Sequence, residues 1–270
     1  MEEWLVNSGM PVFGGSERTR FWAQVREQVH GAVQLFGGEC NRCLERSSSV
    51  FRLDRWRARR RLRPPYRRVA QDLYRAIARA SDCECIVDSS HFPLRARELK
   101  KLEGIELHLL FLVREPQSLV ASRLRAVNRQ DLAERRLRVL LTNMELWLTY
   151  LISLVVFLRH PRDRRIFMRH EDFLAAPERA VDQLLAVAGV RAQPPDISKL
   201  EIGVPLQGNS RLVRAEIVAL NTRTRRPPRP SRLTTALQLP WTVVFSRLRP
   251  CVRVGDQPAA RPAERPRALI

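Results

Sequence analysis

The chain has 270 residues, enough for one sizeable core or for one domain with a tail, and its 44% hydrophobic content is that of a globular protein. The net charge of +20 and pI near 11.4 suggest a polyanionic partner, yet lysine occurs only at Lys100, Lys101 and Lys199. Arginine therefore carries nearly all the charge, a bias that a GC-rich coding sequence produces without selection for binding.

The start, MEEWLVNSGMP, is acidic and lacks an apolar run, unlike a secretory signal. Five cysteines follow no disulfide spacing of a small secreted domain, so the expected compartment is a reducing cytoplasm. Residues 1–50 are weakly patterned, with one predicted helix over 20–35. The arginine run RLDRWRARRRLR (52–63) reads as a solvated face or loop, ended by Pro64 and Pro65. YRRVAQDLYRAIARA (66–80) sets Val69, Leu73 and Ile77 on one helical face that should pack on a sheet.

CECIVDSS (83–90) reads as a short strand with a polar end, and residues 93–102 as a helix with Pro93 in its first turn. IELHLLFLV (105–113) is a strand pattern covered on both faces. Residues 119–158 are helical throughout, predicted as two helices. Their most apolar part, LWLTYLISLVVFL (146–158), has 13 residues, short of the ~20 needed to span a bilayer, and reads as a buried helix. A third strand is predicted at 165–168, followed by the polar HED of 170–172. A helix over 177–188 follows, closed by Gly189. Residues 222–270 read as an Arg/Pro-rich, largely disordered tail with a short helix near Trp241. Alternating helices and strands are the grammar of a parallel α/β sheet.

In such sheets ligands bind beyond the carboxyl ends of the strands, where helix N-termini favour anions. Arg114 is the first residue past a buried strand, Pro116 starts the next helix, and Ser118 and Ser122 share a helical face there. A guanidinium at that corner can fork onto a phosphate. The plain alternative is that Arg114 pairs with Glu115 or Asp88 and solvates a strand end. Were the 83–90 strand its neighbour, Asp88, Ser89, Ser90 and His91 would share the same rim.

IVDSSHFPLRARELKKL followed by LHLLFLVREPQSLVASRL resembles the PAPS-dependent sulfotransferase family, with its "VDSS" strand and "LVRxPxxxxxS" strand-loop-helix. The preceding helix YRRVAQDLYRAIARAS resembles that of bacterial members. MRHEDFLAAPERAVDQLLAVAGV is similar to the family's "YEDLxxDPxxxxxxLxxFLG" segment, and LQGNSRLVR (206–214) to its "GNxxR" loop. The resemblance covers about residues 66–214.

It implies an α/β fold, a P-loop-NTPase-like parallel sheet flanked by helices, occupying residues 1–221. It also implies sulfuryl transfer from PAPS to a hydroxyl or amine of a small molecule or glycan, with no metal and no specific nucleic acid. Arg114 and Ser122 would hold the 3′-phosphate; Gly208 and Asn209 match the late nucleotide loop. Arg211 and Arg214 are shifted from its arginine, and Arg214 is carried over as the nucleotide contact. His91 stands where cytosolic members place a catalytic histidine and many bacterial ones a lysine.

The family's other half-site, a Gly-rich loop after an N-terminal strand, has no match, so the chain reads as N-terminally truncated or degenerate there. GGSERTR (14–20) is a poor substitute, since no strand feeds it. Cys40 and Cys43 with Cys83 and Cys85 do not make a good zinc spacing. Glu171 and Asp172 are expected to cap the helix that follows them. The competing reading is a non-catalytic, arginine-rich polyanion or nucleic-acid binder acting through 52–68 and 223–232, for which no groove-reading motif is present. Acceptor identity and oligomeric state are not legible.

Overall fold

The computed structural model describes residues 16–29, 44–45, 53–83, 85–89, 92–125, 132–193, 195–201, 217–218, 220 and 231–248. In chain order its elements are α1 (Ser16–Glu27), α2 (Trp56–Ser81), α3 (Pro93–Leu99), β1 (Leu109–Val113), α4 (Pro116–Arg125), α5 (Leu132–Leu158), β2 (Arg165–Arg169), α6 (His170–Ala175), α7 (Pro177–Ala188), β3 (Leu200–Glu201), β4 (Ile217–Val218) and α8 (Arg232–Arg247). The fold is mixed α/β, mostly helical, with a small two-stranded parallel sheet. The described residues within Met1–Leu107 and Asp196–Leu220 form one compact unit, and those within His108–Pro195 and Asn221–Pro258 another.

The first unit is organised by α2. Its apolar residues recur at helical spacing, and Tyr66, Val69, Leu73, Ala76 and Ile77 bury against Trp22 and Val25 of α1. Ala70 and Tyr74 bury against Leu99 and Leu102. The expected sheet beneath this helix is replaced by α1 and α3.

The arginine run is also helical, because α2 begins at Trp56 and continues through Pro64 and Pro65. A proline inside a helix costs about 3 kcal/mol through a lost hydrogen bond and a clash with the carbonyl four residues back. Here those carbonyls belong to Arg60 and Arg61, whose exposure lets water serve them. Burial of Tyr66, Val69, Leu73, Tyr74 and Ile77, at roughly 1.5–3 kcal/mol each, outweighs the remainder. Arg63 and Arg67, flanking the prolines, both pair with buried Glu98 at 3.3 and 2.6 Å. Asp82 ends α2 in the left-handed region at φ 51°.

Residues 85–89 carry no strand, which corrects the expectation for CECIVDSS. The physical reason is visible at Val87, which is 86% exposed, and at Asp88, whose carboxylate turns into a buried cluster. β3 and β4 form a two-residue antiparallel pair.

In the second unit β1 and β2 run parallel in the register Leu109↔Arg165 to Val113↔Arg169. Only the end of the predicted 105–113 strand pairs. One face of this sheet meets a helical core, where Val113, Phe167, Leu146, Tyr150, Phe157, Trp241 and Phe245 are buried together with partly buried Phe111. On the other face Met168 packs against Ala180 of α7, while Leu110 and Leu112 remain nearly half exposed. Arg165 Nη1 donates to the carbonyls of Phe157, Leu158 and His160, capping the negative end of α5. Gly189 closes α7 at φ 70°, as its sequence predicts.

The predicted pair of helices over 119–158 is α4 and α5. The apolar part of α5 is longer than the 13 residues noted in the sequence: Leu137–Leu158, 22 residues of mean hydropathy 1.7, is long and apolar enough to cross a membrane by length and composition. The expectation that the chain beyond 222 lies outside the core fails for α8. Its residues Thr234, Gln238, Trp241 and Phe245 recur at four, three and four, and all are buried. Ser231 caps it by accepting the Thr234 N–H at 3.1 Å, and Trp147 Nε1 donates to the Leu237 carbonyl at 2.7 Å.

Candidate functional site

The parallel register brings the carboxyl ends of β1 and β2 out side by side, so Arg114 and Glu115 leave one strand as His170 and Glu171 leave the other. Pro116 is the first residue of α4, a position where its missing N–H costs nothing. The corner is closed by carboxylates. Glu115 N–H donates to Glu171 Oε1 at 3.2 Å, and Ser118 Oγ donates to Glu115 Oε2 at 2.8 Å. Ser118 is buried and committed to that bond, so it is not one of two equivalent hydroxyl donors on the α4 face. Glu171 serves the start of α4, and α7, the helix that follows Glu171 and Asp172, has no side-chain cap, contrary to the sequence expectation.

Tyr150, from α5, points its hydroxyl at the same corner and donates to the Arg114 carbonyl at 3.5 Å. Burial pushes its pKa up well past the ordinary tyrosine range; Arg123 opposes that shift and Glu171 adds to it. Arg123 itself pairs with Glu145 at 3.5 Å. The Arg114 guanidinium is half-buried and takes no hydrogen bond or ion pair among the described residues; the Ser122 hydroxyl, also half-buried, is likewise uncommitted. Glu115, one of the two partners proposed for Arg114, is occupied by Ser118.

The other, Asp88, belongs to the first unit and to a cluster that sequence reasoning missed. It accepts Tyr74 Oη at 2.5 Å and Arg95 Nε at 3.0 Å. Arg95, 2% exposed, also donates through Nη1 to Glu45 Oε1 at 2.9 Å and to Tyr66 Oη at 3.0 Å, and through Nη2 to Tyr74 Oη at 3.1 Å. Tyr66 Oη donates in turn to Glu45 Oε1 at 2.7 Å. Burial first, then the Glu45 and Asp88 charges, raise both tyrosines well above their ordinary pKa. Burial pulls Arg95 down to about 10, which leaves it charged at neutral pH between two carboxylates. A faint signal was available: Arg95, Glu98 and Leu99 share one face of α3 with Leu94. Glu45 lies 50 residues away, at a distance no periodicity reveals.

Among the sequence-derived site residues, the structure therefore describes Arg114 and Ser122, in the loop and on the helix of one strand-loop-helix. His91, Gly208, Asn209 and Arg214 lie outside the described residues, as do Ser90, Arg211, Cys40 and Cys43. Cys83 and Cys85 are exposed free thiols, and among the described residues no group of three histidine, cysteine, aspartate or glutamate side chains is placed to hold a metal.

No family model matches the chain, and no curated protein matches it. Among solved structures, it is similar to a sulfotransferase domain from the curacin biosynthetic pathway, with 14% identity and a TM-score of 0.44, covering 64% of this chain and 67% of that one. A likeness of that extent assigns neither a residue nor an activity.

Proposed function

We propose that this chain binds an adenosine 3′,5′-bisphosphate moiety at the Arg114 corner and transfers a sulfuryl group from PAPS to a hydroxyl of a small molecule or glycan. The observation that carries the reading is the uncommitted, half-buried guanidinium of Arg114 where β1 gives way to α4, with the uncommitted Ser122 hydroxyl eight residues on. The order of the motifs around it supports the same reading. The Glu115 amide is already taken by Glu171, so the phosphate is held by these side chains and not by that N–H. Arg114 and Ser122 fit such an anion as cationic and neutral donors; Gly208, Asn209 and Arg214 complete the nucleotide contacts.

In the transfer, the acceptor oxygen attacks sulfur and the bond from sulfur to the 5′-phosphate oxygen breaks. His91 takes the acceptor proton, and adenosine 3′,5′-bisphosphate leaves. Calorimetric titration with that bisphosphate tests the reading. Arg114→Ala loses a charge-assisted, bidentate contact of about 2–3 kcal/mol, a drop of roughly 30- to 150-fold in affinity. His91→Ala keeps binding and loses transfer. Unchanged affinity in Arg114→Ala refutes the assignment.

One observation favours the polyanion reading. Along α2, Arg57, Arg60, Arg61, Arg68 and Arg75 all lie on the exposed face, and none takes a hydrogen bond or ion pair among the described residues. Salt-labile retention on heparin without retention on immobilised adenosine 3′,5′-bisphosphate would support that reading over sulfuryl transfer.

A further inference from the structure

Helix α5 has two apolar faces, and its own unit uses one of them. Asn143, Leu146, Tyr150 and Phe157 are buried on the inner side, with Asn143 Oδ1 accepting from Gln238 Nε2 at 2.9 Å. The outer face carries Leu137, Leu141, Met144, Leu148, Leu151 and Val155, ending at Leu158, in alternating steps of four and three. Leu148 is half-buried; the others are between 39% and 59% exposed. Large apolar side chains in the open at a period of 3.5 residues, sustained over three heptads, form a coiled-coil seam.

We propose that this seam is a dimer interface, at which α5 packs against α5 of a second copy of this chain. A straight helix drifts from a heptad stripe by about 20° per heptad, so only a partner helix winding left-handedly around it keeps the whole stripe in contact. A lipid surface imposes no such period. For α5 to cross a bilayer it would have to give up its inner-face hydrogen bonds to α8, from Gln238 to Asn143 and from the Trp147 indole to the Leu237 carbonyl.

The seam exposes on the order of 600 Å² of apolar surface, the upper end of what a soluble monomer carries. That area approaches the ~800 Å² per partner of a standard stable interface. An isologous two-fold contact sets this one surface against itself and needs no other chain. Local charge does not oppose it: between Leu137 and Leu158 the helix bears one arginine, Arg138, and one glutamate, Glu145. The net charge of +20 on each copy repels at longer range, and salt screens that repulsion beyond ~8 Å. Dimerisation accordingly tightens as salt rises, the opposite of an association driven by ion pairs.

Sedimentation velocity on the full chain tests this, with the concentration raised to about 100 μM at roughly 0.15 M and 0.5 M salt. The native protein is expected to be dimeric at the upper concentration, and more so in the higher salt. Met144→Glu/Leu151→Glu changes two exposed positions and lowers the net charge, which would ease general repulsion. It should nevertheless weaken the dimer at least ~10-fold while its thermal melt stays within a few degrees of native. Should the pair of charges impair folding, Leu148→Cys at the middle of the seam provides a second arm: oxidation should give a covalent dimer well above the native background. A native monomer at 100 μM, or a dimer indifferent to the substitutions, overturns the proposal. Sedimentation of the native protein with phosphatidylcholine vesicles, lost in the double variant, would assign the seam to a lipid surface and overturn it as well.

Discussion

Replacing Arg95 by methionine tests the buried cluster of the first unit most directly. Methionine keeps much of the volume and removes, among other contacts, the hydrogen bonds to Asp88, Glu45, Tyr66 and Tyr74. Breaking a buried ion pair from one side costs about 3–5 kcal/mol, because the opposite charge stays behind. An upper bound comes from protonation, since Glu45 can take up a proton instead of remaining charged. With an unperturbed pKa near 4.3, that costs about 3.7 kcal/mol at pH 7, and one kilocalorie or so at pH 5. The expected loss is therefore about 3.5 kcal/mol at pH 7, shrinking by roughly 2.5 kcal/mol at pH 5. Urea denaturation followed by circular dichroism reads both values, and an added Glu45→Gln should recover part of the loss at pH 7. A loss below about 1 kcal/mol, or one of equal size at both pH values, would show that the cluster does not hold this unit together.

The chain's only tyrosines, Tyr66, Tyr74 and Tyr150, all have raised pKa values in the folded state. An acid whose folded pKa lies above its unfolded one contributes stability that is complete below the unfolded value, near 10, and is lost as pH climbs past it. Native protein should thus show no tyrosinate absorbance at 295 nm at pH 10 to 10.5, and its stability should fall by up to ~1.4 kcal/mol per pH unit per tyrosine above pH 10. A normal three-tyrosine titration with the fold intact contradicts the burial. In the second unit, Trp241 packs edge-on against Trp147 at 4.9 Å and stacked on Phe245 at 5.4 Å, and its indole N–H is buried without an acceptor among the described residues. Trp241→Ala should cost about 3–5 kcal/mol by thermal melt, whereas Trp241→Phe costs far less because no hydrogen bond is lost. Equal losses in the two variants would point to a partner for that N–H.

Where periodicity is local, the sequence was readable. The 3.6-residue spacing of α2 from Tyr66, the Pro93 and Pro177 starts, the Gly189 stop and the apolar run into Arg114 all follow from chemistry within one or two turns. The spacing of Thr234, Gln238, Trp241 and Phe245 was equally local, but prolines and arginines around it gave the composition of a tail. The prolines at 64 and 65 misled for a similar reason: a local rule met a helix whose far end is held by burial and by Glu98.

By itself, then, the sequence determined the helical stretches from Tyr66, Pro93 and Pro177, where β1 stops, and that Arg114 and Ser122 follow it in one loop and helix. Only the tertiary structure decided that β2 lies beside β1, that Glu171 closes the corner and leaves Arg114 uncommitted, and that Arg95 lies between Glu45 and Asp88. The physical reason is range: helix periods and caps are set by atoms a few residues apart. Strand partners and buried charges are chosen by whichever distant group offers the compensating hydrogen bond.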